Sequence, residues 1–145
     1  MSESETHSRL VKATIAAVQE WAAGAALDLW ADHPATAEHP APFVIGQSQA
    51  DLIAIRRDTR VSVIGEAKTR RDIENPHTLR QLKEYYEFLL TQPGGLLWLS
   101  VPLGTGGQAL RVAKTVRRDT KCERVDLIVS EWLLGTCDIE TRWNV

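Results

Sequence analysis

A mixed β-sheet with helices on both sides, in the α/β (α+β) class, is what this sequence predicts, and three observations carry the prediction. Short apolar runs of strand length occur at 52–55, 61–64, 96–101 and 125–129. Helical spacing of apolar residues fills the gaps before the third and the fourth run, the arrangement of strand–helix–strand crossovers. A longer stretch with the same helical spacing precedes all of them. At 145 residues the chain is expected to be one domain, 1–145, with a real core.

Taken in order, a first helix is expected over 6–23, where Leu10, Val11, Ile15, Val18, Trp21 and Ala22 recur at helical spacing and Ser4 or Thr6 offers a cap. Gly24 ends it, or the helix runs on weakly through Leu27 and Trp30. Residues 31–42, with Pro34, Pro40 and Pro42, read as a loop long enough to serve a site. The apolar run 43–46 is expected as the first strand. Runs 52–55 and 61–64 flank the polar Arg57-Asp58-Thr59-Arg60, a hairpin signal. The β-branched Thr59 disfavours positive φ, so a four-residue loop on a type I turn fits better than a two-residue one. Asn75-Pro76 reads as cap and first position of a helix over 76–91, which stops before Pro93-Gly94-Gly95.

The run 96–101 is apolar enough to be buried on both faces. A helix over 108–121 carries Leu110, Ala113 and Val116 beside Arg111, Lys114, Arg118 and Lys121. The last clear strand is 125–129, and 131–145 packs Trp132 and Trp143 as a short helix or an edge strand. The expected order is helix, three strands, helix, strand, helix, strand. The first three strands form an antiparallel meander, and the later pair is parallel through a right-handed crossover.

Bulk properties narrow the function. The net charge of −2 leaves no basic tail, so a nucleic-acid partner needs a local basic patch. Cys122 and Cys137 form no paired motif and fit free thiols in a reducing, cytoplasmic setting. His7, His33, His39 and His77 lack zinc-finger spacing, and the last three read as surface residues. No run approaches the ~20 apolar residues of a membrane span, and the acidic start is unlike a signal peptide.

The chemistry lies at the open end of the hairpin. A loop centred between residues 58 and 59 sets Asp51 opposite Glu66. Facing side chains have Cβ atoms roughly 4.5–5.5 Å apart, and like charges there repel. Lys68 lies two residues beyond Glu66 and projects from the same face. A hard divalent cation would turn the repulsion into attraction. Asp51 and Glu66 also fit solvated charges at a hairpin end, or a salt-bridge set with Lys68. Gln81 and Tyr85, spaced i, i+4, share a helix face. Alternatively, Gln81 is an ordinary exposed residue and Tyr85 a core aromatic.

Asp51, then Glu66-Ala67-Lys68, on a helix, three-strand meander, helix and strand, resembles the PD-(D/E)xK (restriction-endonuclease-like) superfamily with its αβββαβ core. The stretch from Gly46 to Asp51, and Gln81-Leu82-Lys83-Glu84-Tyr85 as a Gln-x-x-x-Tyr motif, resemble its RecB-like branch. The resemblance spans roughly residues 5–130. It implies hydrolysis of DNA phosphodiesters with Mg²⁺ or Mn²⁺ on Asp51, Glu66 and the Ala67 carbonyl. Lys68 would position the attacking water or stabilise developing charge, and Gln81 would orient Lys68 or the phosphate. Many members carry an acid on the first helix; here Glu5, His7 and Glu20 are the candidates, and none matches cleanly.

For DNA contact, Arg70, Arg71, Arg80 and Lys83 are expected to flank the site, with Arg56, Arg57 and Arg60 at the hairpin tip and the 111–121 stripe as further cations. Trp30, Tyr85 and Tyr86 are candidates for stacking on unpaired bases. No separate DNA-recognition domain is expected, so specificity would come from DNA structure, a homodimer or a partner protein. A catalytically silent nuclease-fold module that binds nucleic acid or protein is the alternative expectation.

Overall fold

The structure is a computed structural model that describes residues 2–32 and 39–145. Its elements are α1 (Glu3–Trp21), β1 (Leu27–Ala31), β2 (Val44–Ile45), β3 (Ser48–Gln49), β4 (Leu52–Arg56), β5 (Val61–Ala67), α2 (Pro76–Leu90), β6 (Gly94–Pro102), α3 (Gly106–Asp119), β7 (Asp126–Leu133) and β8 (Ile139–Asn144). A single 3₁₀ turn, Arg70–Asp72, links β5 to α2. Six strands form one mixed sheet in the order β1-β4-β5-β6-β7-β8. β1, β4 and β5 run antiparallel, β5, β6 and β7 parallel, and β8 returns antiparallel on β7.

The alternation of side chains along each strand divides the core. Leu52, Ala54, Val63 and Trp98 pack with Leu10, Val11 and Val18 of α1. Ile53, Ile64, Leu97 and Val129 pack with Leu82 and Tyr86 of α2 and Val112 of α3. The sheet is therefore buried on both faces, which explains the continuous apolar run of β6.

Several expectations change. The first meander strand is β1, not 43–46. Ala23 and Gly24 take positive φ of 51° and 84°, which ends α1 sharply and sends the chain out as a strand. Leu27, Leu29 and Ala31 then face the α1 core while Trp30 packs on the opposite side, a period of two. The run 43–46 instead enters a small hairpin, β2–β3, outside the main sheet. Its turn is tied to α2, because the Glu84 carboxylate accepts the Gln47 N–H at 3.3 Å. Gly46 is required there, with φ of 62° and a Cβ position only 2.7 Å from Glu84 Cδ.

The cap of α1 is Ser2, in a reciprocal box with Glu5, rather than Ser4 or Thr6. α3 begins at Gly106, earlier than the local pattern suggests, because the Glu131 carboxylate of β7 accepts the Gly106 N–H at 2.7 Å. Asn75 caps α2, accepting from the Thr78 N–H, with Pro76 next. The last segment is an edge strand. The β4–β5 loop spans four residues, and the strained position is Arg60, with φ of 63°. Among the described residues no helix is long and apolar enough to cross a membrane.

β6 passes close under the end of α2. A Cβ on Gly95 would sit 2.7 Å from the Leu89 carbonyl oxygen. That oxygen cannot yield unless α2 moves, so Gly95→Ala should lower stability by about 1–3 kcal/mol, read from the urea unfolding midpoint.

Candidate active site at the end of the central hairpin

The β4–β5 ladder pairs Leu52 with Gly65 and Ile53 with Ile64, so Asp51, one residue before β4, stands opposite Glu66. Here side chain replaces ladder. The Asp51 carboxylate accepts the Ala67 N–H at 2.8 Å, while the Asp51 N–H reaches Glu66 Oε2 at 3.4 Å, long for a hydrogen bond. The N–H and C=O of one strand residue leave the same edge, so the Ala67 carbonyl opens on the side where Asp51 lies.

Lys68 shares the face of Glu66. Its Nζ lies 3.5 Å from Glu66 Oε1 and donates to Gln81 Oε1 at 2.5 Å. Glu66 is 4% exposed and Lys68 7%. Burial pushes the Glu66 carboxyl up to about 8, the Asp51 charge pushes the same way, and Lys68 only partly opposes them. α2 presents Gln81 and Tyr85 on one buried face. Burial holds the Tyr85 hydroxyl far above its ordinary range, with the nearby Glu66 charge adding to it. The phenol therefore stays protonated, close to Glu66, yet its oxygen is buried without a well-formed hydrogen bond.

The first helix contributes His7. Its half-exposed ring places Nε2 3.3 Å from Asp51 Oδ2, and the bond to Asp51 raises its pKa against the opposing effect of burial. Glu5 is spent on the Ser2 cap, and Glu20 is exposed near the far end of α1. Glu3 was not anticipated: its Oε1 accepts the Thr69 hydroxyl at 2.5 Å, and Thr69 also meets Asp72 Oδ2 at 3.1 Å. The i, i+4 spacing of Glu3 and His7 was the signal that could have found it.

The donor set fits a hard divalent cation. Two carboxylates and a backbone carbonyl are all oxygen, and the repulsion that helps raise Glu66 is what such a cation relieves. The Tyr85 hydroxyl is a buried polar atom without a well-formed hydrogen bond, left for a ligand or a shifted carboxylate to satisfy. Among the described residues no three His, Cys, Asp or Glu side chains converge as a metal cluster; the set here contains two.

The expected cations divide. Arg70 and Arg71 are exposed beside the site and, with Glu3, Thr6, Thr69 and Pro102, line a depression of about 400 Å³. Lys83 stands about 160° around α2 from Gln81 and lines the α2–α3 groove instead. Arg80 is exposed against His77 at 3.0 Å. Elsewhere Arg56 pairs with Asp58, Arg57 with Asp28, Arg111 with Glu74 and Arg118 with Asp119. Tyr85 and Tyr86 are fully buried and cannot stack on bases; Trp30 already packs edge-on against Phe43. His77 is exposed, and His33 lies outside the described residues. Compared with known proteins, the chain matches no family model, no curated protein and no solved structure.

Glu66 and His7 both bind a proton more tightly when folded. Each contributes stability that is complete below its unfolded pKa and lost as pH rises through its folded one. For Glu66 the window runs from 4.5 to about 8. In divalent-free buffer the wild type should lose stability across that window. Glu66→Gln, which cannot ionise, should lose clearly less in denaturant titrations at successive pH values; equal slopes would exclude the shift.

Proposed function

We propose that this chain is a metal-dependent nuclease of the PD-(D/E)xK type that hydrolyses DNA phosphodiester bonds. The supporting observation is the convergence of Asp51, Glu66 and Lys68 at one strand end, with Gln81 holding the amine. Asp51, Glu66 and the Ala67 carbonyl would hold Mg²⁺ or Mn²⁺, which when bound polarises the phosphate and acidifies a water.

The chain's own groups do the rest. Lys68 holds its ammonium in a fixed place, aimed by Gln81, where it offsets negative charge building on the phosphate oxygens. Its surroundings exclude bulk water, so that charge is felt strongly. Glu66, beside Lys68, is the group that can keep or lose a proton there, while the Tyr85 phenol stays protonated. A phosphate reaches the amine from the side of His7 and Asp51, whose side chains are 39% and 16% exposed against 8% for Lys68.

A second reading, a catalytically silent module, is favoured by one observation: Lys68 already bonds Gln81 and pairs with Glu66 without any added ion. The two readings part on metal. A nuclease should show an upward shift in melting temperature with Mg²⁺ or Mn²⁺, growing as RT ln(1 + [L]/Kd), that Asp51→Ala abolishes. The silent module shows none.

Activity is checked on single-stranded, duplex and branched DNA with either ion. Lys68→Ala should keep the fold and lose at least ~10²-fold in rate, and Asp51→Ala should also fall steeply. Cleavage unchanged in both variants sinks the assignment.

A further inference from the structure

We infer that the depression lined by Arg70 and Arg71 is a subsite for the phosphodiester next to the one at Lys68, so that a DNA strand leaves the site over the turn 70–72 and not along α2. This rests on the nuclease reading above and adds the path of the substrate.

The placement follows from chain order. Lys68 and Thr69 are buried, and Arg70 is the first exposed residue after them. One 3₁₀ turn then carries both guanidiniums at the rim of the candidate site. The depression also meets Pro102 at the end of β6, so its walls are two sheet-anchored segments and the start of α1. At about 400 Å³ it lies within the ~300–1,000 Å³ range of small-molecule sites, room enough for a phosphate and part of its sugar.

Charge separates these two arginines from four others that the sequence places in basic patches. Arg56, Arg57, Arg111 and Arg118 are all tied to carboxylates. Arg70 only reaches the Leu103 carbonyl at 3.3 Å, which leaves most of its N–H donors unused. Arg71 makes no hydrogen bond or ion pair among the described residues. Planar, weakly hydrated guanidiniums with free donors match phosphate oxygens. Glu3 is the one acid in the lining, and its carboxylate is turned to the Thr69 hydroxyl.

The test uses the full chain, a fluorescein-labelled oligothymidylate in EDTA, and anisotropy over a range of KCl concentrations. Arg70→Ala and Arg71→Ala should each weaken binding about 10-fold, the scale of one charge-assisted contact. Each should also flatten the plot of log affinity against log salt by about 0.7, one phosphate's share for a single strand. Arg71→Lys should restore the slope. Lys12→Ala, which removes an exposed charge elsewhere on α1, should change neither quantity. Slopes unchanged in both arginine variants, or a wild type with no affinity, overturn the subsite. Parallel cleavage assays with Mg²⁺ or Mn²⁺ keep the two ideas apart. Arginine-dependent binding without any cleavage removes the nuclease reading alone. Cleavage with unaltered KM in both arginine variants removes the subsite alone.

Discussion

The enforced contact between Asp51 and Glu66 is the constraint on which the rest of the site depends. Two carboxylates do not choose to face each other; the hairpin register puts them there. That register is locked because a slip of one residue would exchange the two faces of β4 and β5, and both faces are buried. Leu52, Ile53, Val63 and Ile64 are wholly inside. Burying each such side chain is worth about 1.5–3 kcal/mol, and together they outweigh the repulsion of two carboxylates, one of which can simply keep its proton.

The second constraint is α2. Asn75 and Pro76 set its first turn, and Leu82, Tyr86 and Leu89 fasten it to the sheet. Gln81 and Tyr85 are then carried onto the end of β5 on a rigid element. That is why an amide oxygen meets the Lys68 ammonium at 2.5 Å with both side chains buried. In such surroundings small changes of charge are felt strongly, and the high proton affinity of Glu66 is one consequence. The start of α1 closes the opposite side through polar contacts, His7 to Asp51 and Glu3 to Thr69, because no described residue before Leu10 is buried.

Cations tell a similar story. Their positions in the sequence suggested several basic patches, but a patch is defined by what neutralises it. Asp28, Asp58, Glu74 and Asp119 each answer an arginine. Only folding brings Asp28 to Arg57 or Glu74 to Arg111, so the count of arginines near a motif overstates the charge that remains available.

The sequence by itself determined the class of fold, the hairpin and its register, the span of α2 and the pairing of Asp51 with Glu66 and Lys68. These follow from local alternation, turn chemistry and helical spacing, which act over a few residues. Tertiary structure decided the rest: that 27–31 and not 43–46 is the first sheet strand, that Glu131 starts α3, and that Glu3 and His7 reach the site. Each of those outcomes depends on a partner dozens of residues away, such as β4 for β1 or β7 for the first turn of α3. A linear pattern records what each segment can do alone, and which partner it meets is settled only when the core closes around both.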